Sequence, residues 1–446
     1  MTISAPKIGL WRCTALVIGN MIGSGIFLLP SSLAPFGSLA IGGWLMTSAG
    51  AIALALVFAR LARVSNRTGG PYAWTRDGYG EFAGFLVAWG YWIALWAGNA
   101  AIAIAFTGYL AYLFPILSDN SLAGLAVALI AIWSVTLVNV CGTKSAGTLQ
   151  VITTVIKVIP LFFIIGLGLL YLQPQNFVPL NPTDASISSG IAACAALTLW
   201  AFLGLESATV PAGDVENPSR TIPLATVLGV TFTAVVYLLV SIAVLGMMPR
   251  AALALSTAPL ADAARMATGS WGGALIALGA CVATFGTLNG FTLLSGQIPL
   301  GAARDRVFPQ WFDKVTRNGA PLRALLVSNL LASGLVAMNF SKGLVEQFTF
   351  IILLATLTTL VPYVFCALAE IMIWLRSGAI GDSRSGAPTL SVLMLGGLAF
   401  LYSLWAIYGA GQDVVFYGFL LLLAGVPIHV AIKWDGRRSR VSMIGD

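Results

Sequence analysis

Twelve apolar runs, each close to or above the roughly 20 residues a helix needs to cross a bilayer and nearly free of charge, take up most of this chain. They lie at 9–32, 39–60, 83–114, 121–141, 147–173, 189–211, 223–248, 272–302, 323–340, 348–376, 388–410 and 413–433. Only 9% of the 446 residues are charged and 58% are hydrophobic, with a mean hydropathy of +0.92. That leaves too little polar surface for a soluble globule of this size. The expectation is an all-α polytopic membrane protein with twelve transmembrane helices in one domain, 1–446. The run 83–114 is long enough to be split, but a split would make the span count odd, so it is read as one tilted helix.

Charge supports the even count. With both termini in the cytoplasm, the inside segments collect Lys7, Arg12, Arg60, Arg63, Arg67, Arg76, Lys144, Arg220, Arg304, Arg306, Lys314, Arg317, Arg323, Arg376, Arg384, Lys433, Arg437, Arg438 and Arg440, against Arg250, Arg265 and Lys342 outside. Nineteen against three is a strong positive-inside bias. The net charge of +7 therefore reports topology, and basic residues spread over span ends give no support for a nucleic-acid partner. The first run is too long for a signal-peptide core and lacks a small-residue cleavage site, so it is expected to remain in the protein. Cys13, Cys141, Cys194, Cys281 and Cys366 show no paired spacing and read as buried small hydrophobes. With His429 the lone histidine, no metal site, cofactor or histidine catalysis is expected.

Two of the runs are interrupted. Gly19-Asn20-Met21-Ile22-Gly23-Ser24-Gly25-Ile26-Phe27 sits inside the first and Leu199-Trp200-Ala201-Phe202-Leu203-Gly204-Leu205-Glu206-Ser207 inside the sixth. Glycine costs a helix interior about 1 kcal/mol relative to alanine, and unwound backbone survives at membrane depth only when buried in protein or lining a cavity. Paired breaks of this kind point to the binding site of a secondary transporter. Five spans separate them, and an odd repeat enters the membrane from the opposite side. Residues 9–173 and 189–376 are therefore expected as inverted repeats, with two appended helices at 388–433. A half-helix starting near Ile26 offers unpaired N–H groups and a positive dipole end to a carboxylate. One ending near Trp200 and Ala201 offers free carbonyls to an ammonium. Together they describe a receptor for an α-amino acid backbone, to which Ser24 could add a hydroxyl while Gly23 and Gly25 keep the backbone accessible.

These motifs, with Gly69-Gly70-Pro71-Tyr72-Ala73 before the third span and Glu216-Asn217-Pro218-Ser219-Arg220-Thr221-Ile222-Pro223 after the sixth, resemble the amino acid, polyamine and organocation superfamily along essentially the whole chain. Tyr91-Trp92-Ile93-Ala94, Trp96-Ala97-Gly98-Asn99, Leu293-Leu294-Ser295-Gly296-Gln297 and Thr358-Thr359-Leu360-Val361-Pro362-Tyr363 are similar to its basic amino acid and polyamine antiporter branch, nearest the arginine/agmatine antiporters. The resemblance implies a leucine-transporter-like fold with broken helices 1 and 6, a bacterial inner-membrane location and a homodimer. It implies that Ser24, Gly25 and Ile26 hold the substrate carboxylate and that Trp200, Ala201 and Leu203 surround the α-amino group. Trp200 would also cover the substrate. Ala94, Leu95 and Asn99 would wall the distal pocket beside the gating Tyr91, and Glu206 would serve the pH response. Ile22, Gly23 and Thr356 complete the implied substrate-binding set.

Two residues depart from that pattern. Phe291 stands where the resemblance implies a cation-binding tryptophan, and a phenyl face attracts a cation more weakly than indole. Lys157 is similar to the lysine of sodium-independent permeases, where an ammonium replaces a coupling ion. A lysine at the bilayer centre costs on the order of 2.5–3.5 kcal/mol on insertion scales, so it is expected to tie the fifth span to the break in the first; snorkelling to the interface is the opposing reading. Glu206 reads either as a proton site or as a structural carboxylate accepting bonds from unwound backbone. Glu81, Glu346, Glu370 and Asp413 sit nearer span ends, and most of them read as solvated. Trp11, Trp311 and Trp434 read as interface anchors, and Trp89, Trp92 and Trp96 as packing.

The leading functional expectation is exchange of a cationic amino acid, arginine, for its decarboxylated amine, agmatine, by alternating access. Phe291 and Lys157 keep a proton-linked or facilitative permease for neutral amino acids in view. An intramembrane enzyme lacks catalytic pairs and a channel lacks a filter sequence, and no phosphate-binding G-x-x-x-x-G-K-[ST] pattern occurs. No acidic side chain is evident for the distal pocket.

Overall fold

Each of the twelve apolar runs is helical over most of its described residues in the computed structural model, which describes residues 8–64, 70–141, 143–209, 215–338, 343–376 and 390–442. Among the described residues, 11 helices are long and apolar enough to cross a membrane. The 17-residue apolar helix Leu322–Met338 is span 9 and brings the number to twelve. Span 1 is divided into Leu10–Met21 and Ser24–Leu33, and span 6 runs Ile187–Leu199 before tightening into a 3₁₀ turn at Trp200–Phe202. Spans 2 to 5 are Leu39–Val64, Glu81–Leu113, Ser121–Val140 and Thr143–Tyr171. Spans 7, 8 and 10 are Pro218–Met247, Ser270–Arg304 and Leu344–Arg376. Span 11 is Leu390–Gly409, and span 12 joins Gln412–Leu423 to Gly425–Ser442. The run 83–114 is one helix, Glu81–Leu113, as the even span count and the charge bias required, although its length allowed a split.

Local chemistry sets several starts. The Asn120 side chain accepts from Ala123 N at 3.2 Å to open span 4, and the Ser186 hydroxyl accepts from Ser189 N at 3.2 Å to open span 6, each satisfying an otherwise orphaned N–H. Pro218 begins span 7 and Pro71 the short helix Pro71–Tyr79, where a missing N–H costs nothing. Within the spans, threonines donate to the carbonyl one turn back, as in Thr107 to Ala103 (2.9 Å) and Thr284 to Ala280 (2.7 Å). Such back-bonding lets a hydroxyl sit at membrane depth without an unpaired donor.

Spans 1 and 3 are the most enclosed and span 12 the least. Span 3 lies along spans 8 and 10, span 2 along spans 6 and 7, and spans 5 and 7 flank the first half of span 1. Lipid offers no hydrophobic drive for this assembly, so close contact between small residues and buried polar bonds must carry it.

Some expectations need correction. Cys141 is exposed, because it falls just past the end of span 4, while the other four cysteines are buried as read. Glu81 and Glu370 are paired rather than simply solvated. Glu370 receives Arg60 Nε at 2.9 Å and Arg60 Nη2 at 3.0 Å, and Glu81 pairs with Lys433. Span 12 continues to Ser442, well past 433, because its basic tail stays helical. At the same end of the molecule Tyr72 donates to Asp305, which also meets Arg76 at 3.1 Å. Burial first, then the Asp305 carboxylate, pushes the Tyr72 phenol well above its usual range, so it stays a donor. Trp11, Trp311 and Trp434 are exposed as expected. Lys7, Arg67, Gly69, Lys342 and Arg384 lie outside the described residues, as do 210–211, 339–340 and 388–389 at span ends. The side chains of Lys144, Arg437, Arg438 and Arg440 lie outside them too.

Candidate functional site

The first helix stops because Ile22 turns extended (φ −72°, ψ 101°) and helix resumes only at Ser24, two residues before the expected start near Ile26. No side chain caps the new helix. Its first N–H groups, from Ser24 to Ile26, therefore lack intrahelical partners and carry the positive end of the dipole. On the other side of the break, carbonyls are collected by Lys157. Its ammonium donates to Gly19 O, to Ile22 O at 2.9 Å and to Thr287 Oγ1 at 3.2 Å. Lys157 is fully buried, so it does not snorkel; it ties span 5 to the broken end of span 1 as expected.

Span 6 breaks differently. After Leu199 the backbone passes through the 3₁₀ turn and then through successive tight turns, Leu203 N to Trp200 O (3.2 Å), Leu205 N to Phe202 O (3.2 Å) and Ser207 N to Gly204 O (2.9 Å). Gly204 holds φ +100°, a conformation that glycine adopts without steric cost. The carbonyls expected to be free are each engaged once: Trp200 O by Leu203 N, and Ala201 O by the Tyr237 hydroxyl at 3.1 Å. Tight turns consume their own acceptors, so only the second lone pair of each carbonyl remains for a ligand.

The two breaks touch. A Cβ on Gly25 would fall 2.7 Å from Ala201 Cβ and 2.8 Å from Ala201 Cα, so only glycine permits this approach. Tyr237 bridges the breaks from span 7, its hydroxyl lying 2.5 Å from Met21 O and 3.1 Å from Ala201 O.

Beside this junction Tyr91, Ala94, Leu95, Leu203, Glu206 and Phe291, with Gly204, Leu294 and Thr359, enclose a cavity of about 10 Å³, room for about one water molecule. Glu206 is fully buried and accepts from Tyr91 and, at 2.8 Å, from Tyr363. This cavity thus carries an acidic side chain, because the turns after Gly204 bring Glu206 against Tyr91 of span 3. Trp200 closes the site, its indole N–H donating to Ser24 Oγ at 3.2 Å and its ring meeting Phe291 at 5.9 Å between centroids.

The remaining candidates surround rather than line this cavity. Ile22, Gly23 and Ile26 are buried at the span 1 break, Asn99 sits one helical turn past Leu95, and Thr356 on span 10 has a buried hydroxyl without a partner. Trp89, Trp92 and Trp96 pack as expected, with Trp92 Nε1 donating to Ser328 Oγ at 2.8 Å. Tyr237, Tyr363 and Thr287 escaped the sequence reading. The one phenol of span 7, seeking a partner for its hydroxyl, was the available signal for Tyr237.

Comparison with known proteins is consistent with this geometry. The family described as Amino acid permease matches residues 8–428. A cadaverine/lysine antiporter of Escherichia coli is 37% identical over 81% of this chain and 82% of its own length. An arginine/ornithine antiporter of Pseudomonas aeruginosa is 31% identical over 97% and 92%, and a putrescine transporter of Haemophilus influenzae 32% identical over 98% and 99%.

Proposed function

We propose that this chain, which belongs to the amino acid permease family, is a secondary transporter that exchanges a cationic amino acid, arginine, for its decarboxylated amine, agmatine. The observation that carries this is the meeting of two interrupted helices at Gly25 and Ala201 beside a small cavity walled by Glu206 and Phe291. N–H groups at Ser24, Gly25 and Ile26 take the substrate carboxylate. The second lone pairs of the Trp200 and Ala201 carbonyls, with Leu203 beside them, take the α-amino group. Ala94, Leu95, Asn99, Thr356 and the Phe291 face receive the distal head, and Glu206, held by Tyr91 and Tyr363, answers its positive charge. Lys157 stands in for a coupling ion. The names of relatives support a basic substrate, since those proteins are described as exchanging lysine with cadaverine or arginine with ornithine, or as transporting putrescine.

Since the cavity holds about 10 Å³, a substrate can enter only if the helices separate and Trp200 leaves Ser24. We take residues 9–173 and 189–376 as inverted repeats whose relative rocking opens the site to either side, with both termini cytoplasmic and the protein a homodimer. The test is uptake of radiolabelled arginine by liposomes holding the purified protein and preloaded with arginine, agmatine, putrescine, leucine or nothing. Uptake that requires internal arginine or agmatine supports the reading. Uptake into empty vesicles, or uptake that only leucine supports, replaces it with a permease for neutral amino acids, the alternative that the weaker cation face of Phe291 favours.

A further inference from the structure

Three polar side chains from three spans form a directional chain behind the cavity. The Thr136 hydroxyl of span 4 donates its single proton to Ile132 O, one turn back, at 2.7 Å. Its oxygen can then only accept, and it does so from Asn329 Nδ2 of span 9 at 2.7 Å. That turns Asn329 Oδ1 towards span 3, where it accepts from Asn99 Nδ2 at 3.0 Å. Asn99 Oδ1 is left as a buried atom without a partner. All three residues are buried. Asn99 follows Leu95, a wall of the cavity, by four positions on the same helix face, and the adjacent Gly98 lies against the Trp200 and Phe291 rings.

We propose that Thr136 and Asn329 are positioning residues that fix the polarity of the Asn99 amide, so that its carbonyl rather than its amino group is presented to the distal head of the substrate. A carbonyl accepts from a guanidinium or ammonium, which have only donors to offer, and gives a neutral head no charge-assisted bond. The opposite polarity requires Thr136 to abandon Ile132 O and donate to Asn329. The Asn99 amino group would then meet a guanidinium donor to donor, and would donate to the oxygen of a ureido group. Substrate charge is thus selected by hydroxyl orientation two residues removed from the ligand, in addition to the carboxylate at Glu206.

This inference rests on the cationic reading above, and the test separates the two. In proteoliposomes exchanging labelled arginine, the half-inhibiting concentrations of unlabelled arginine and of citrulline, its neutral ureido analogue, are measured for wild type, Thr136→Ser and Thr136→Val. The serine variant keeps both donor and acceptor and is expected to keep the wild-type citrulline-to-arginine ratio. The valine variant keeps the shape but frees the Asn329 and Asn99 amides to turn, and the ratio is expected to fall by roughly tenfold or more, the scale of one hydrogen bond to a charged group. Asn329→Ala, which releases Asn99 directly, gives the same reading if Thr136→Val does not elute as a monodisperse protein. A valine variant that exchanges with the wild-type ratio overturns the relay alone, as does one that merely slows exchange without altering the ratio. Wild-type protein that fails to prefer arginine over citrulline overturns the cationic reading and the relay together.

Discussion

Replacing Tyr237 by phenylalanine removes one oxygen atom and leaves a ring that still packs against Trp44 (5.3 Å between centroids) and Phe202 (5.6 Å). What disappears is the hydroxyl that reaches Met21 O at 2.5 Å and Ala201 O at 3.1 Å. Met21 ends the first half of span 1, so its carbonyl has no partner within that helix. A buried acceptor stripped of its donor costs about 1–3 kcal/mol, and because the single phenolic proton is shared between two carbonyls, the cost is counted once. If the hydroxyl keeps the two breaks in register for substrate, Tyr237→Phe weakens binding by between about 5-fold and about 150-fold. The assay is half-saturation of arginine exchange in proteoliposomes, with equilibrium binding to the purified protein as a check that turnover does not mask the effect. An affinity within twofold of wild type, in a variant that folds, would refute the claim that Tyr237 holds the breaks together.

Gly25→Ala would place a methyl carbon 2.7 Å from Ala201 Cβ, an overlap costing about 1–3 kcal/mol; at least tenfold weaker arginine binding is expected by scintillation proximity, and unchanged binding counts against a site at the junction. Lys157→Met leaves Gly19 O without its donor and should lower the exchange rate about tenfold or more, which initial rates of uptake will check. Glu206→Gln keeps the shape but replaces one acceptor oxygen by a donor, so Tyr91 or Tyr363 loses its acceptor; exchange should stop responding to a change from acidic to neutral pH, and a preserved pH profile removes Glu206 from the proton response. Glu370→Gln breaks a pair whose arginine is 36% exposed and should cost less than about 1 kcal/mol in a denaturation midpoint.

The spans were readable because lipid permits so few solutions: a charge-free run of sufficient length has to be helix. The break in span 1 was readable because Gly23 and Gly25 bracket Ser24, a pattern with no use in a continuous helix. Lys157 announced itself through cost, since no lysine rests at that depth without acceptors. The sequence does not reveal partners contributed by distant spans. Nothing local to Tyr237 indicates that two carbonyls from residues 21 and 201 converge on it, and nothing local to Asn99 names Asn329. The free carbonyls expected at Trp200 and Ala201 failed for a related reason: helix-break arithmetic counts the acceptors a helix end releases but not the tight turns that reclaim them. Glu206 was identified as a candidate yet assigned no place beside Tyr91, because the turn through the positive φ of Gly204 that brings it there is not written in the residue pattern.

The indole lid over Ser24 and the near-absence of space beneath it also bear on the membrane as an insulator. A bilayer holding many copies of a carrier keeps its voltage only if each copy, at rest, offers no continuous file of water to protons or small ions. With room for about one water beside Glu206, this cavity, among the described residues, holds no file of water of its own through which small ions could pass.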